Sequence, residues 1–155
     1  IKRLKVNLDR LGLQADLKQA RLEEFKPDAV FDAILLDAPC SSTGTIRRHP
    51  DVLWTKGPAD IEKLADLQYR LLESALLLLR PGGRIVFSNC SLDRLEGEDL
   101  VEKFLAAHSE IERVAIEKSD WPGLEDAVNA RGEFRTTPAM LGGMDGFFAA
   151  VLRKA

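Results

Sequence analysis

The chain has 155 residues and two cysteines, and each cysteine stands where a thiol could do chemistry. Cys40 lies in "DAPCSSTG" (37–44), directly after the apolar stretch Ala33–Leu36, and Cys90 lies in "SNCS", directly after "RIVFS" (84–88). A strand that only had to turn would need Pro39 and Gly44 and nothing more. The acid Asp37 and the thiol of Cys40 ask for another reason, and a thiol that ionises is a strong nucleophile. Taken singly, either cysteine could be a small buried hydrophobe, and Asp37 a turn-forming side chain. Two cysteines do not make a disulfide framework, and Cys40 and Cys90 with His49 and His108 lack zinc-ligand spacing, so no metal is expected. Free thiols point to a reducing compartment, the cytoplasm.

The elements that would position these residues follow from periodicity. Ile1, Leu4, Leu8 and Leu11 recur at helical spacing, and Gly12 is a natural stop. Residues 13–19 read as a weak strand containing Asp16 and Lys18. "AVFDAILLD" (29–37) reads as a parallel strand buried on both faces. Residues 58–80 form a long helix opening on Pro58, with Leu64, Leu67, Leu71, Ala75 and Leu78 inward and "PGG" (81–83) ending it. The strand 84–88 follows, then a helix over about 96–107 with Leu100, Val101, Phe104 and Leu105 on one face. Strands at 111–117 and 146–154 complete the pattern, with 118–145 as a loop-rich insertion and Phe147 and Phe148 as core. Alternating strands and helices make a parallel α/β sheet with right-handed crossovers. The final pair lacks a helical crossover, so the last strand should run antiparallel.

The composition, 45% apolar and 30% charged, is that of a folded globular chain. No apolar run approaches the roughly 20 residues of a membrane span, which argues against a membrane partner. A net charge of -3 leaves nucleic-acid contact to local basic groups. Ligands of open α/β sheets bind beyond the carboxyl ends of the strands. If the strands ending at Asp37 and Ser88 are neighbours, Cys40 and Cys90 face each other across one crevice with an acid beside them.

"DAPCSSTGTIRRHPDVLW", then "LQYRLLESALLLLRPGGRIVFSNCS", then "RTTP" and "GMDGFFAAVLRK", resembles the Sun family of RNA (cytosine-5) methyltransferases from Leu4 onward. "TIRRHPD" is most similar to the bacterial enzymes that methylate 16S ribosomal RNA. The resemblance implies a Rossmann-like S-adenosylmethionine-dependent fold and ribosomal RNA as partner, with Cys90 as nucleophile. Cys40 would help release the product, Asp37 would contact cofactor and base, and Pro39, Arg47, Arg48 and His49 would contact RNA. A thiolate adding to cytosine C6 makes C5 nucleophilic enough to take a methyl group. A carboxyl group can stabilise the charge that develops, and a second group must help the C5 proton leave. Small Ser41, Ser42 and Gly44 would let an extruded base approach the backbone.

The chain also departs from the family. Its first residue is Ile1 rather than Met, and the glycine-rich cofactor loop with the acid after the second strand would precede it. Residues 1–155 are therefore expected to be the C-terminal part of a catalytic domain whose first strands lie upstream, with an incomplete sheet. Arg21 stands where a third cofactor acid is expected, so S-adenosylmethionine should bind weakly or not at all, and the chain alone should be inactive. Two other readings stand beside this one. A degenerate RNA-binding module would account for Arg21, and amino-group methylation uses the same strand end but has no role for Cys90.

Overall fold

The computed structural model describes residues 1–155. Helix α1 (Lys2–Leu11) ends as its pattern predicts: Gly12 takes a left-handed conformation (φ 65°) and donates to the carbonyls of Asp9 and Leu8. None of its residues is buried. The weak strand expected at 13–19 does not form; Asp16 and Lys18 pair with each other at 3.2 Å instead. The chain first meets the core at Leu22.

Strand β1 (Phe31–Asp37) is followed by a one-turn helix α2 (Val52–Thr55) and the long helix α3 (Pro58–Leu78). Asp60 accepts the Gly57 N–H at 3.0 Å and closes the first turn of α3. Two expectations about α3 need correcting. Its fully buried residues are Gln68, Leu72, Ala75 and Leu76, while Leu64, Leu67, Leu71 and Leu78 are half-buried. The inward face is rotated by about one residue because Gln68, a polar side chain, has a buried partner that the leucine pattern does not reveal. "PGG" does not end the helix either. The backbone is already extended at Leu79, and β2 (Leu79–Asn89) absorbs Pro81–Gly83 as an irregularity between the pairs Phe31↔Leu79 and Ala33↔Arg84.

Helix α4 (Glu98–Ala107) buries Leu100, Val101 and Phe104, with Leu105 packed alongside, as its spacing predicts. Strand β3 (Ile111–Val114) stops three residues short of the expected end, and β5 (Phe147–Lys154) closes the sheet. The stretch 118–145 is not wholly irregular: β4 (Phe134–Thr136) pairs with the first residues of β5. The strand order is β1-β2-β5-β3, with β4 beside β5. β1 and β2 run parallel, and β5 runs antiparallel to β2, β3 and β4, the reversal expected for the last strand.

The two faces of the sheet differ. On one, Ile85, Phe87, Phe148, Ala150 and Leu152 pack against Leu72, Ala75 and Leu76 of α3 and Leu100, Val101 and Phe104 of α4. The other face borders an open cavity of about 920 Å³, lined by Leu35, Val86, Phe147 and Val151 and rimmed by Trp121 and Leu124. β1 is accordingly not buried on both faces. Ile34 and Leu36 pack on the core, but Leu35 is 72% exposed, because β1 pairs only with β2 and nothing covers its second face. Phe148 is core, whereas Phe147 points to the cavity face. The rotated α3 face is testable by urea unfolding. Leu72→Ala should cost about 2–5 kcal/mol, and Leu77→Ala, at an exposed position, about 0.5 kcal/mol or less.

Candidate active site

The register between β1 and β2 sets Asp37 opposite Ser88, so the two carboxyl ends lie level. The Ala38 N–H continues the ladder to the Ser88 carbonyl at 2.8 Å. Both segments then turn out of the sheet, and the sulfurs of Cys40 and Cys90 arrive 3.5 Å apart as free thiols. Ser42 lies beside the pair, its Oγ 3.6 Å from the Cys90 sulfur and 4.0 Å from that of Cys40. Ser42 has a left-handed backbone (φ 61°), a conformation that a residue with a side chain adopts at some cost.

Burial pushes the Cys40 thiol up to about 11; repulsion from Cys90 adds to the rise, against a lowering hydrogen bond from the Ser42 backbone. At neutral pH Cys40 is therefore a protonated thiol beside Cys90.

The glycine of "SSTG" has a role other than the expected one. Gly44 donates to the Cys90 carbonyl at 2.8 Å and accepts from the Gly146 N–H at 2.8 Å. A Cβ on Gly44 would fall 2.6 Å from the Cys90 carbonyl oxygen and closer still to that of Gly146. Gly44 and Ser41 are buried inside the protein, so they offer no surface to an extruded base; of the three small residues only Ser42 lies at the thiols' opening. Thr43 reinforces the junction by accepting the Leu92 N–H at 2.9 Å.

Asp37 lies at the same strand end but on the cavity side, exposed, accepting a long hydrogen bond of 3.4 Å from Ser88 Oγ and none from either thiol. Pro39 is exposed, and its carbonyl accepts from Gln68 Nε2 at 2.9 Å. Arg47, Arg48 and His49 are exposed on the following loop. Both arginines face Asp145: Arg48 donates through Nε at 2.6 Å and Arg47 lies at 3.7 Å. That carboxylate is held below its ordinary range chiefly by the Arg48 hydrogen bond. Arg21 is exposed, 3.8 Å from Glu24 and outside the sheet.

Several residues that shape the site were not singled out by sequence. Arg135 of "RTTP" grips Glu98 through two hydrogen bonds of 3.0 and 2.6 Å, lies over the Phe148 ring, and donates to the Ser91 carbonyl next to Cys90. Thr136 donates to the Asp145 carbonyl at 2.9 Å and so fixes the loop that meets the arginines. Glu96 is fully buried beneath Ser41. Only Gln68 gave a signal, as a polar residue within an apolar helical stripe.

Among known proteins, the sequence profile of the family described as 16S rRNA methyltransferase RsmB/F matches residues 1–153. The chain belongs to that family. A ribosomal RNA small subunit methyltransferase B from Shewanella oneidensis is 39% identical over 100% of this chain and 35% of its own length. The chain thus spans about a third of the length of the curated relatives it matches. Among solved structures, PH0851 superposes with a TM-score of 0.85 at 35% identity, over 99% of this chain and 34% of that one. NSun6 from Pyrococcus horikoshii, crystallised with SFG, superposes with a TM-score of 0.79 at 26% identity, over 99% and 38%. The fold is accordingly Rossmann-like and of the methyltransferase type.

The raised Cys40 thiol predicts a pH dependence. Its alkylation by iodoacetamide, followed by peptide mass spectrometry, should be slow at pH 7.5 and keep accelerating until the pH passes about 11. A rate that levels off near pH 9 would show that burial does not hold the proton.

Proposed function

We propose that this chain carries the nucleophile-bearing part of an S-adenosylmethionine-dependent enzyme that methylates cytosine C5 in 16S ribosomal RNA. The observation that carries the reading is the 3.5 Å separation of two free thiols at adjacent strand ends in a member of this family. In this reading Cys90 Sγ adds to cytosine C6, and the electron pair pushed onto the ring makes C5 a nucleophile. After C5 has gained its methyl group its proton passes to solvent water, and the C5–H electron pair restores the C5–C6 double bond as the S–C6 bond breaks to return the Cys90 thiolate. Cys40 is suited to the release step: being protonated at neutral pH, it does not compete for C6, and it can donate toward the departing Cys90 sulfur. Asp37, level with the thiols on the cavity side, is the group available to stabilise charge on the pyrimidine edge.

S-adenosylmethionine would supply an electrophilic methyl group. Of the contacts such a group needs, the chain offers the Asp37 carboxylate alone; residue 21 is an exposed arginine paired with Glu24, and residues 13–21 do not join the sheet. The residues present therefore do not fit the cofactor by themselves. In keeping with this, residues 1–155 are read as part of a larger catalytic domain and as inactive alone. Arg47, Arg48 and His49 are read as phosphate contacts, with Pro39 at the rim, and Asp145 would have to share the arginines with RNA. A ribosomal RNA substrate fits a cytoplasmic protein. Amino-group methylation has no use for the Cys90 sulfur, which lies within contact of Cys40.

The test is a chimera in which this chain replaces the matching third of the Shewanella relative. Cys90→Ala should abolish both methyl transfer and RNA adduct. Cys40→Ala should still permit attack but stall release, so protein accumulates on RNA as a slow band that survives denaturation. Equal behaviour of the two variants would sink the division of roles, and adduct in the Cys90 variant would reverse it.

A further inference from the structure

We propose that Glu96 is the positioning residue of the dithiol site: its carboxylate holds the Cys40 segment directly and the Cys90 segment through the Ser41 hydroxyl. Glu96 is fully buried, yet no cation faces it. Its carboxylate is met by three donors instead: the Ser41 N–H at 2.9 Å, the Ser41 hydroxyl, and Gln68 Nε2 at 2.8 Å. A buried carboxylate without partners would be costly, so these bonds are strongly determined once formed.

Their placement is specific to the thiols. Gln68 Nε2 also donates to the Pro39 carbonyl at 2.9 Å, and Glu96 takes the Ser41 N–H, so the residues on either side of Cys40 are held by one polar pair. Cys90 is bracketed by the Asn89 side chain, which meets Glu96 at its main chain. Asn89 Nδ2 donates to the Glu96 carbonyl at 2.6 Å, and Asn89 Oδ1 accepts the Ser91 N–H at 3.0 Å. The two brackets are joined directly where Ser41 Oγ meets Ser91 Oγ at 3.1 Å. Ser41, Gln68, Asn89, Ser91 and Glu96 are each at most 1% exposed, so water cannot replace a lost bond without entering the core. A residue needed only for packing would be served by an apolar side chain. Glu96 instead places acceptor oxygens against the donors of Ser41 and Gln68.

This inference deepens the dithiol reading and rests on it for its chemical meaning. The test needs neither RNA nor methyl donor, so it can fail while that reading stands, and the reverse. Phenylarsine oxide condenses with two thiols to a cyclic dithioarsenite, releasing water with no change of oxidation state, and does so only when the sulfurs are close together. Its rate of bridging Cys40 to Cys90, read by intact mass in buffer where circular dichroism shows each variant folded, reports sulfur placement. Glu96→Ala should slow bridging by about tenfold or more, as misplacement near a reacting pair does. Glu96→Gln keeps one acceptor oxygen and the shape, and should restore the rate to within about fivefold of the parent, the scale of one altered hydrogen bond. Glu133→Ala is the control for general loosening: Glu133 is equally buried but pairs with Arg113 and Asn129. It should lower stability and leave bridging unchanged. A folded Glu96→Ala that bridges at the parent rate, or a Glu133→Ala that slows bridging as much, would overturn the proposal. If Glu96→Ala does not fold, Ser41→Ala takes its place. Losing one of the three donors, it should slow bridging by about threefold, and an unchanged rate overturns the proposal.

Discussion

Everything at the site depends on a junction of three backbone segments too narrow to admit a side chain. Gly44 donates to the Cys90 carbonyl and accepts from Gly146, both at 2.8 Å, and a Cβ at Gly146 would lie 2.9 Å from the Gly44 Cα. This fastens the loop after β1 to the turn after β2 and to the start of β5. Since β1 and β2 are in register up to Asp37 and Ser88, the loops leave the sheet level, and the junction closes them over one another. The 3.5 Å sulfur separation is the product of that closure.

Two polar systems support the junction from either side. Below it, the buried Glu96–Gln68 pair determines the Cys40 backbone; beside it, Arg135 holds the Ser91 carbonyl while pairing with Glu98. Gln68, Glu98 and Arg135 stand on α3, α4 and β4, elements that pack against the well-filled face of the sheet or its edge, and Glu96 ends the single turn Arg94–Glu96 ahead of α4. The opposite face carries Leu35, Val86 and Val151 toward an open cavity, with Asp37 at its border. The thiols thus sit on the rigid side of the strand ends, and the carboxylate on the open side. That division matches the chemistry proposed for each, a nucleophile held to a fixed line of attack and an acid facing a bound ligand.

How much of this could be read from sequence follows from the range of the forces involved. α3, α4, β2 and β5 announced themselves because burial imposes a period on a long segment, and Cys40 and Cys90 because each followed such a segment. β4 did not, since three residues, Phe134–Thr136, are too few to show alternation. The "PGG" irregularity in β2 was hidden because proline and glycine signal a break in either element without saying which. The inward face of α3 was misplaced by counting leucines and passing over Gln68. Glu96 was invisible because acids ahead of a helix ordinarily face solvent and offset its dipole, as Glu98 and Asp99 also could. Gly44 was legible as a special residue, but the backbone it approaches belongs to Cys90 and Gly146, which only the fold brings near.

The central claim is that the sulfur pair forms a covalent site in which Cys90 attacks a cytosine. It is tested most directly by trapping. The chimera carrying this chain is incubated with S-adenosylmethionine and a 16S RNA fragment containing 5-fluorocytosine, where fluorine replaces the proton that must leave C5. Digestion and peptide mass spectrometry should then find methylated nucleotide bonded to the Cys90 sulfur, with Cys40 unmodified. Recovery of the nucleotide on Cys40, or methyl incorporation with no protein–RNA adduct, would contradict the account.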